Sequence, residues 1–176
     1  MRALVFAALS AILLGGCAAE GAEPEQSQMG KPEPALELTG RVVDAADILS
    51  PDFEEQMTAI LADLEEDTRV QLVVATTPDL NGYEIETYSL NLARAWGLGD
   101  KARDDGLLLV VAPNERQLRI DVGYGLEASV EDEEAGEIIR EVILPHFENG
   151  NYEAGISAGV DRLIEEVTPY DLKVAA

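Results

Sequence analysis

The fold class this sequence predicts is an α/β/α sandwich, a mixed central sheet with helices on both faces in the order βαβαββαα. Three observations carry that prediction. Val70 to Thr76 and Gly106 to Ala112 are nearly continuous apolar runs, as strands covered on both faces are. Between them Ile85, Tyr88, Leu92 and Trp96 return at helical spacing, so strand, helix and strand form a right-handed crossover with its two strands parallel. Gln117 to Val122 then alternates in character after the turn formers Pro113, Asn114, Glu115 and Arg116, which adds an antiparallel strand through a β-hairpin.

The remaining elements follow in order. Gly40 to Asp44 gives a short first strand. Ser50 supplies a hydroxyl cap, Pro51 suits the first turn, and Asp52, Glu54 and Glu55 sit at the positive end of the dipole of a helix running to about Asp67. Phe53, Met57, Ile60, Leu61 and Leu64 share one face of it. Pro78 to Gly82 closes the second strand. Arg119 and Asp121 alternate with Leu118, Ile120 and Val122, so the hairpin strand has one less buried face. Ser129 with Asp132 resembles a capping box ahead of a helix bearing Ile138, Ile139, Val142 and Ile143, which Pro145 ends. Tyr152, Ile156, Val160, Leu163, Ile164 and Val167 define a last helix, on which Gly155 and Gly159 permit close backbone approach.

Ahead of the domain, Arg2 is a charged n-region, Ala3 to Leu14 an apolar stretch too short to span a bilayer, and Leu14, Gly15, Gly16 and Cys17 follow directly. Small residues before a Cys read as a bacterial lipobox, making residues 1–17 a lipoprotein signal peptide and Cys17 the lipidated residue. An ordinary signal peptide cleaved later, for instance after Ala19, is the alternative. Cys17 is the one cysteine, so no disulfide forms within the mature domain. Residues 18–38, with Glu20, Glu23, Glu25, Glu33 and Glu37 and three prolines, read as a disordered acidic tether that buries nothing. The domain proper is expected over residues 39–167 and a short tail over 168–176. The likeness to lipoproteins places the chain on the periplasm-facing cell envelope. Ala18 after the Cys favours the outer membrane in a Gram-negative source.

The chain carries 35 acidic against 12 basic residues, a formal net charge of −23, which excludes nucleic acid and anionic lipid headgroups as partners of its surface. Cations and basic partners are favoured instead. In the hairpin, residues just before the first strand lie beside those just after the second, so Asp104 and Asp105 fall close to Gly123, Tyr124, Gly125, Leu126 and Glu127. Asp104, Asp105 and Glu127 are thus candidate ligands of Ca²⁺ or Mg²⁺, which take carboxylate, carbonyl and water oxygens. Asp44 joins them only if the first strand runs antiparallel to the Gly106 strand. The plainer reading is that Asp104 and Asp105 begin a turn and Asp44 caps a helix entrance. Gly123, Tyr124 and Gly125 form a candidate ligand loop whose amides approach a phosphate, or simply a tight exit from the strand. Lys101 and Arg103 either hold a phosphate oxygen or are solvated. Trp96 ends an apolar face and reads as core. His146 is the only histidine and has neither a Ser elbow nor metal spacing near it, which supports neither a hydrolase triad nor zinc.

Several of these pieces resemble the TPM domain family, which includes thylakoid-lumen acid phosphatases, photosystem assembly and repair factors and bacterial envelope proteins. They are GRVVDAADILS from Gly40 to Ser50, QLVVAT from Gln71 to Thr76, WGLG at Trp96 with the following DDG, GYGLE from Gly123, and the Pro145 to Gly155 stretch. Two functional expectations follow. One is a lipid-anchored, divalent-cation-binding domain, read from the lipobox and the carboxylates, to which the resemblance adds metal-dependent phosphatase activity on phosphomonoesters. The other, implied by the resemblance, is a non-catalytic accessory or assembly factor docking on an envelope membrane-protein complex.

Overall fold

The computed structural model of this chain describes residues 36–168. The signal peptide with Cys17, most of the expected tether and the tail beyond Thr168 lie outside the described residues. Four strands, β1 (Val42–Asp44), β2 (Gln71–Thr76), β3 (Gly106–Ala112) and β4 (Gln117–Val122), form one sheet in the order β1-β2-β3-β4. The first three are parallel, and β4 returns antiparallel to β3, pairing Leu107 to Ala112 with Val122 back to Gln117. Helix α1 (Pro51–Thr68) joins β1 to β2, and α2 (Ile85–Trp96) joins β2 to β3. After β4 come a single 3-10 turn (Tyr124–Leu126), α3 (Asp132–Glu137), a π-helical segment (Ile138–Ile143), α4 (Leu144–Phe147) and α5 (Tyr152–Val167). Among the described residues no helix is long and apolar enough to cross a membrane.

Strand alternation divides the interior into two cores. Leu72, Val74, Leu107, Leu109, Val111 and Ile120 face the larger one, with α1, α3, the π segment and α5 packed over them. Val73, Ala75, Leu108, Val110 and Ala112 face the smaller one, closed by Leu80, Ile85, Tyr88 and Leu92 of the α2 side. The sandwich and its element order are therefore those expected. Because Leu118, Ile120 and Val122 point to the larger core, Arg119 and Asp121 must point to the α2 side. The 12-residue α2 lies over β3 and β4, with Arg119 part-exposed beside it.

Local chemistry explains the boundaries. Ser50 caps α1 by accepting from Phe53 N at 3.3 Å, and Pro51 occupies the first turn where no amide partner is needed. Ser50 also donates to Glu153 at the start of α5, its amide reaching Oε1 at 2.7 Å, and this hydrogen bonding holds the Glu153 carboxyl below its ordinary value. The third helix departs from expectation at both ends. It starts at Asp132 with Glu131 as cap and no side-chain cap hydrogen bond, while Ser129 belongs to the preceding turn, its amide donating to Leu126 O. Nor does Pro145 end it. Leu144 N donates to Ile139 O, five residues back, and this wider π spacing lets the chain carry Pro145, which has no N–H to give and would crowd a regular turn, on into α4. Helix α5 lies close against this segment, as expected: a Cβ at Gly159 would press on the Ile143 side chain and one at Gly155 on the Phe147 ring.

The packed region also begins earlier than residue 39. Leu36 packs against the smaller core, and its carbonyl accepts the Trp96 indole N–H at 3.0 Å. Trp96 is thus a core residue with its polar handle satisfied.

Candidate functional site

The turn from Asp100 to Asp105 is built by its own side chains. The Asp100 carboxylate accepts from Ala102 N at 2.9 Å and Arg103 N at 3.2 Å, and these bonds, Ala102 first, hold its carboxyl below the ordinary aspartate value. Asp104 follows in the left-handed region at φ 52°, a conformation Asp tolerates better than most residues. That twist sends the two neighbouring acids in opposite directions. Asp105 is wholly buried, accepting from Asp100 N at 2.8 Å and from the Arg103 guanidinium, whereas Asp104 faces solvent.

Across the turn, Gly123 N donates to Gly106 O at 2.8 Å and Gly125 N to Asp104 O at 2.9 Å. A Cβ at Gly123 would overlap Asp104 O, and one at Gly125 would overlap Arg103 O. The two glycines therefore serve the close approach of two backbones, and both amides are spent on it. Of the two readings of this loop, the tight exit from the strand is the one realised. Arg103 is likewise engaged with Asp105 and Asp100.

Where this turn meets the α2-facing side of β4 there is a cleft of about 420 Å³. Leu90, Ala93 and Arg94 of α2 form one wall, Arg119 and Asp121 of β4 another, and Asp104, Gly123, Tyr124, Glu127 and Asp132 close its end. The structure thus brings together Asp104, Glu127, Gly123 and Tyr124 as the hairpin geometry required. Gly125 stands behind them against Arg103. Asp105 belongs to the interior rather than to the cleft wall.

Asp44 does not join this group. It ends β1, which runs parallel to β3, so it lies at the opposite end of the sheet from Asp104. There its carboxylate accepts from Leu49 N at 2.9 Å and from the Thr76 hydroxyl, and Thr76 Oγ1 in turn accepts from Ala46 N at 3.0 Å. Asp44 ties down the loop leading to α1, as the plainer reading had it.

Two carboxylates and two guanidinium groups of the cleft were missed in the sequence: Asp121, Asp132, Arg94 and Arg119. Asp121 is the distinctive one. Its side chain is 12% exposed, and Oδ1 accepts from Arg119 Nε at 2.7 Å. Oδ2 is buried with no hydrogen-bond partner among the described residues. An unsatisfied oxygen of this kind costs about 1–3 kcal/mol, so a donor or a cation reaching it would be stabilising. The donors are all oxygen, the set hard cations take. Yet among the described residues no three acids, histidines or cysteines converge closely enough to hold a metal ion. Any ion held here must draw exposed side chains such as Asp104 and Glu127 toward Asp121.

Comparison with solved structures gives the same architecture. The N-terminal domain of a P. gingivalis protein, solved by NMR, is 37% identical, with a TM-score of 0.68 over 73% of this chain and 82% of that one. The N-terminal domain of a Corynebacterium glutamicum protein is 18% identical, with a TM-score of 0.57 over 77% of this chain and 82% of that one. The BA42 protein of the psychrophilic bacterium Bizionia argentinensis is 19% identical, with a TM-score of 0.58 over 71% of this chain and 82% of that one. The last two speak for the fold alone. No curated protein matches this chain. The family model for the TPM domain matches residues 42–166, from the first residue of β1 to the last turn of α5, and the chain belongs to the TPM domain family.

Proposed function

We propose that this TPM domain is a divalent-cation-binding module of the cell envelope, held to the membrane by a lipid on Cys17. The observation that carries the cation reading is Oδ2 of Asp121, buried and without a hydrogen-bond partner among the described residues, on a residue that lines the cleft together with Asp104, Glu127 and Asp132. These four carboxylates would hold Ca²⁺ or Mg²⁺, and Asp105 serves them indirectly by locking the Asp100 to Asp105 turn. A bound ion there would polarise a phosphoryl oxygen and activate water, the chemistry that phosphatase activity in this family implies. The chain's own residues supply no legible nucleophile. The accessory reading is favoured by a different observation, the exposure of Tyr124 and Leu90 beside the same cleft.

Titration calorimetry of the chelator-treated domain with Ca²⁺ and Mg²⁺, against matched NaCl, tests this. Since the donors are not preassembled, dissociation constants of about 10⁻⁴ to 10⁻³ M are expected, the weak end of the oxygen-ligand range. Asp121→Asn and Asp104→Asn should each abolish the heat of binding. Unchanged binding in both variants would remove the site. Turnover of a phosphomonoester that requires the bound ion would extend the reading to catalysis, and binding without turnover would leave a non-catalytic module.

A further inference from the structure

Tyr124 is 79% exposed, and Leu90 is 41% exposed. Both line the acidic cleft, Leu90 from α2 and Tyr124 from the 3-10 turn after β4. The Tyr124 ring is not carried on a loose tip. Its neighbours Gly123 and Gly125 are hydrogen-bonded to Gly106 and Asp104, so a pinned backbone presents the ring to solvent. A rigidly presented aromatic beside an exposed aliphatic marks a surface that excludes water when a partner covers it.

The charges between them specify the partner. Among the described residues, the cleft sets Asp104, Asp121, Glu127 and Asp132 against Arg94 and Arg119, and Arg119 is already committed to Asp121 Oδ1. The other Asp121 oxygen is buried and has no donor among the described residues. An ammonium or guanidinium group would supply it with a charge-assisted hydrogen bond. We infer that the cleft docks a segment of a partner protein carrying Lys or Arg flanked by apolar residues. The cationic group enters among the carboxylates, and the apolar neighbours cover Tyr124 and Leu90. The net charge of −23 steers such a segment in and disfavours a second copy of this chain as the occupant. The docking shares its carboxylates with the proposed ion site but does not need an ion there, and a divalent cation competes with it.

Fluorescence anisotropy with a labelled peptide alternating leucine and arginine tests the inference, with glutamate replacing arginine in the control peptide. The arginine peptide should bind and the glutamate peptide should not. Tyr124→Ala should weaken binding at least about tenfold, the loss typical of an interface anchor. Asp121→Asn should weaken it comparably. Because Tyr124 is exposed, its variant should keep the wild-type melting temperature, so lost binding reads as a lost contact. A Glu55→Gln, Glu66→Gln double variant on the exposed side of α1 should bind as wild type. No binding of the arginine peptide, full affinity in Tyr124→Ala, or an equal loss in the α1 variant would overturn the docking site. Ca²⁺ calorimetry on the same preparations keeps the two readings apart. Ion binding without peptide binding sinks the docking alone, and peptide binding without ion binding sinks the ion site alone.

Discussion

Asp104 and Asp105 are adjacent and opposite in role, and one backbone angle separates them. The left-handed φ of Asp104 turns its own carboxylate to the cleft and that of Asp105 into the interior, against Asp100 N and Arg103. Sequence alone shows two acids ahead of a strand and cannot say which faces in. The substitutions should therefore differ in kind. Asp105→Ala removes the acceptor of the Asp100 amide and one partner of the Arg103 guanidinium, and a loss of about 2–3 kcal/mol is expected. Asp104→Asn keeps a residue that accepts the left-handed conformation and should stay within about 0.5 kcal/mol of wild type. Urea midpoints at an unchanged slope measure both. Equal losses would mean that the turn does not sort the two carboxylates as described. Asp121 was hard to find for a related reason: its alternation with Ile120 and Val122 is legible, but the orphaned oxygen depends on how far α2 reaches across the sheet.

At the level of elements, the crossover and the hairpin were legible because each is written in local periodicity: apolar runs for strands covered on both faces, helical spacing between them, turn formers at the hairpin tip. Asp44 went astray where the condition on its strand conflicted with the same crossover rule. A strand joined to β2 through α1 runs parallel to it, which puts Asp44 at the far end of the sheet from Asp104. The Pro145 misreading arose because regular helical spacing was assumed, whereas the π segment ahead of it relaxes that spacing. The start of the packed region was missed because the few apolar residues Ala35, Leu36 and Leu38, among acids and prolines, give no periodic signal. Leu36 nonetheless packs on the smaller core and accepts the Trp96 N–H. A chain beginning at Leu38 should accordingly be less stable than one beginning at Ala35 by about 1–2 kcal/mol, a hydrogen bond plus partial burial of a leucine. Trp96→Phe in the longer chain should reproduce about half of that loss. Identical melting temperatures for the two chains would restore a domain boundary at residue 38.

For the whole molecule, the net charge of −23 decides how any membrane attachment would have to work. An anionic membrane surface repels such a protein, and at physiological salt that repulsion acts within a Debye length of about 8 Å. Neither a basic patch nor, among the described residues, a membrane-crossing helix offsets it. Attachment through Cys17 would have to be covalent and hydrophobic. Stable anchoring of this kind takes more than one acyl chain, as lipoprotein processing at an N-terminal cysteine supplies. In a bacterial host the wild-type chain should remain with the membrane fraction through a high-salt wash and leave it only with detergent, because lipid insertion does not depend on screening. Cys17→Ala should appear in the soluble fraction at every salt concentration. The intact mass of the detergent-extracted protein should correspond to a chain beginning at a lipidated Cys17. Release of the wild type by salt alone would indicate peripheral association through a protein partner. A soluble mature chain beginning at Glu20 would establish ordinary signal cleavage and remove the anchor.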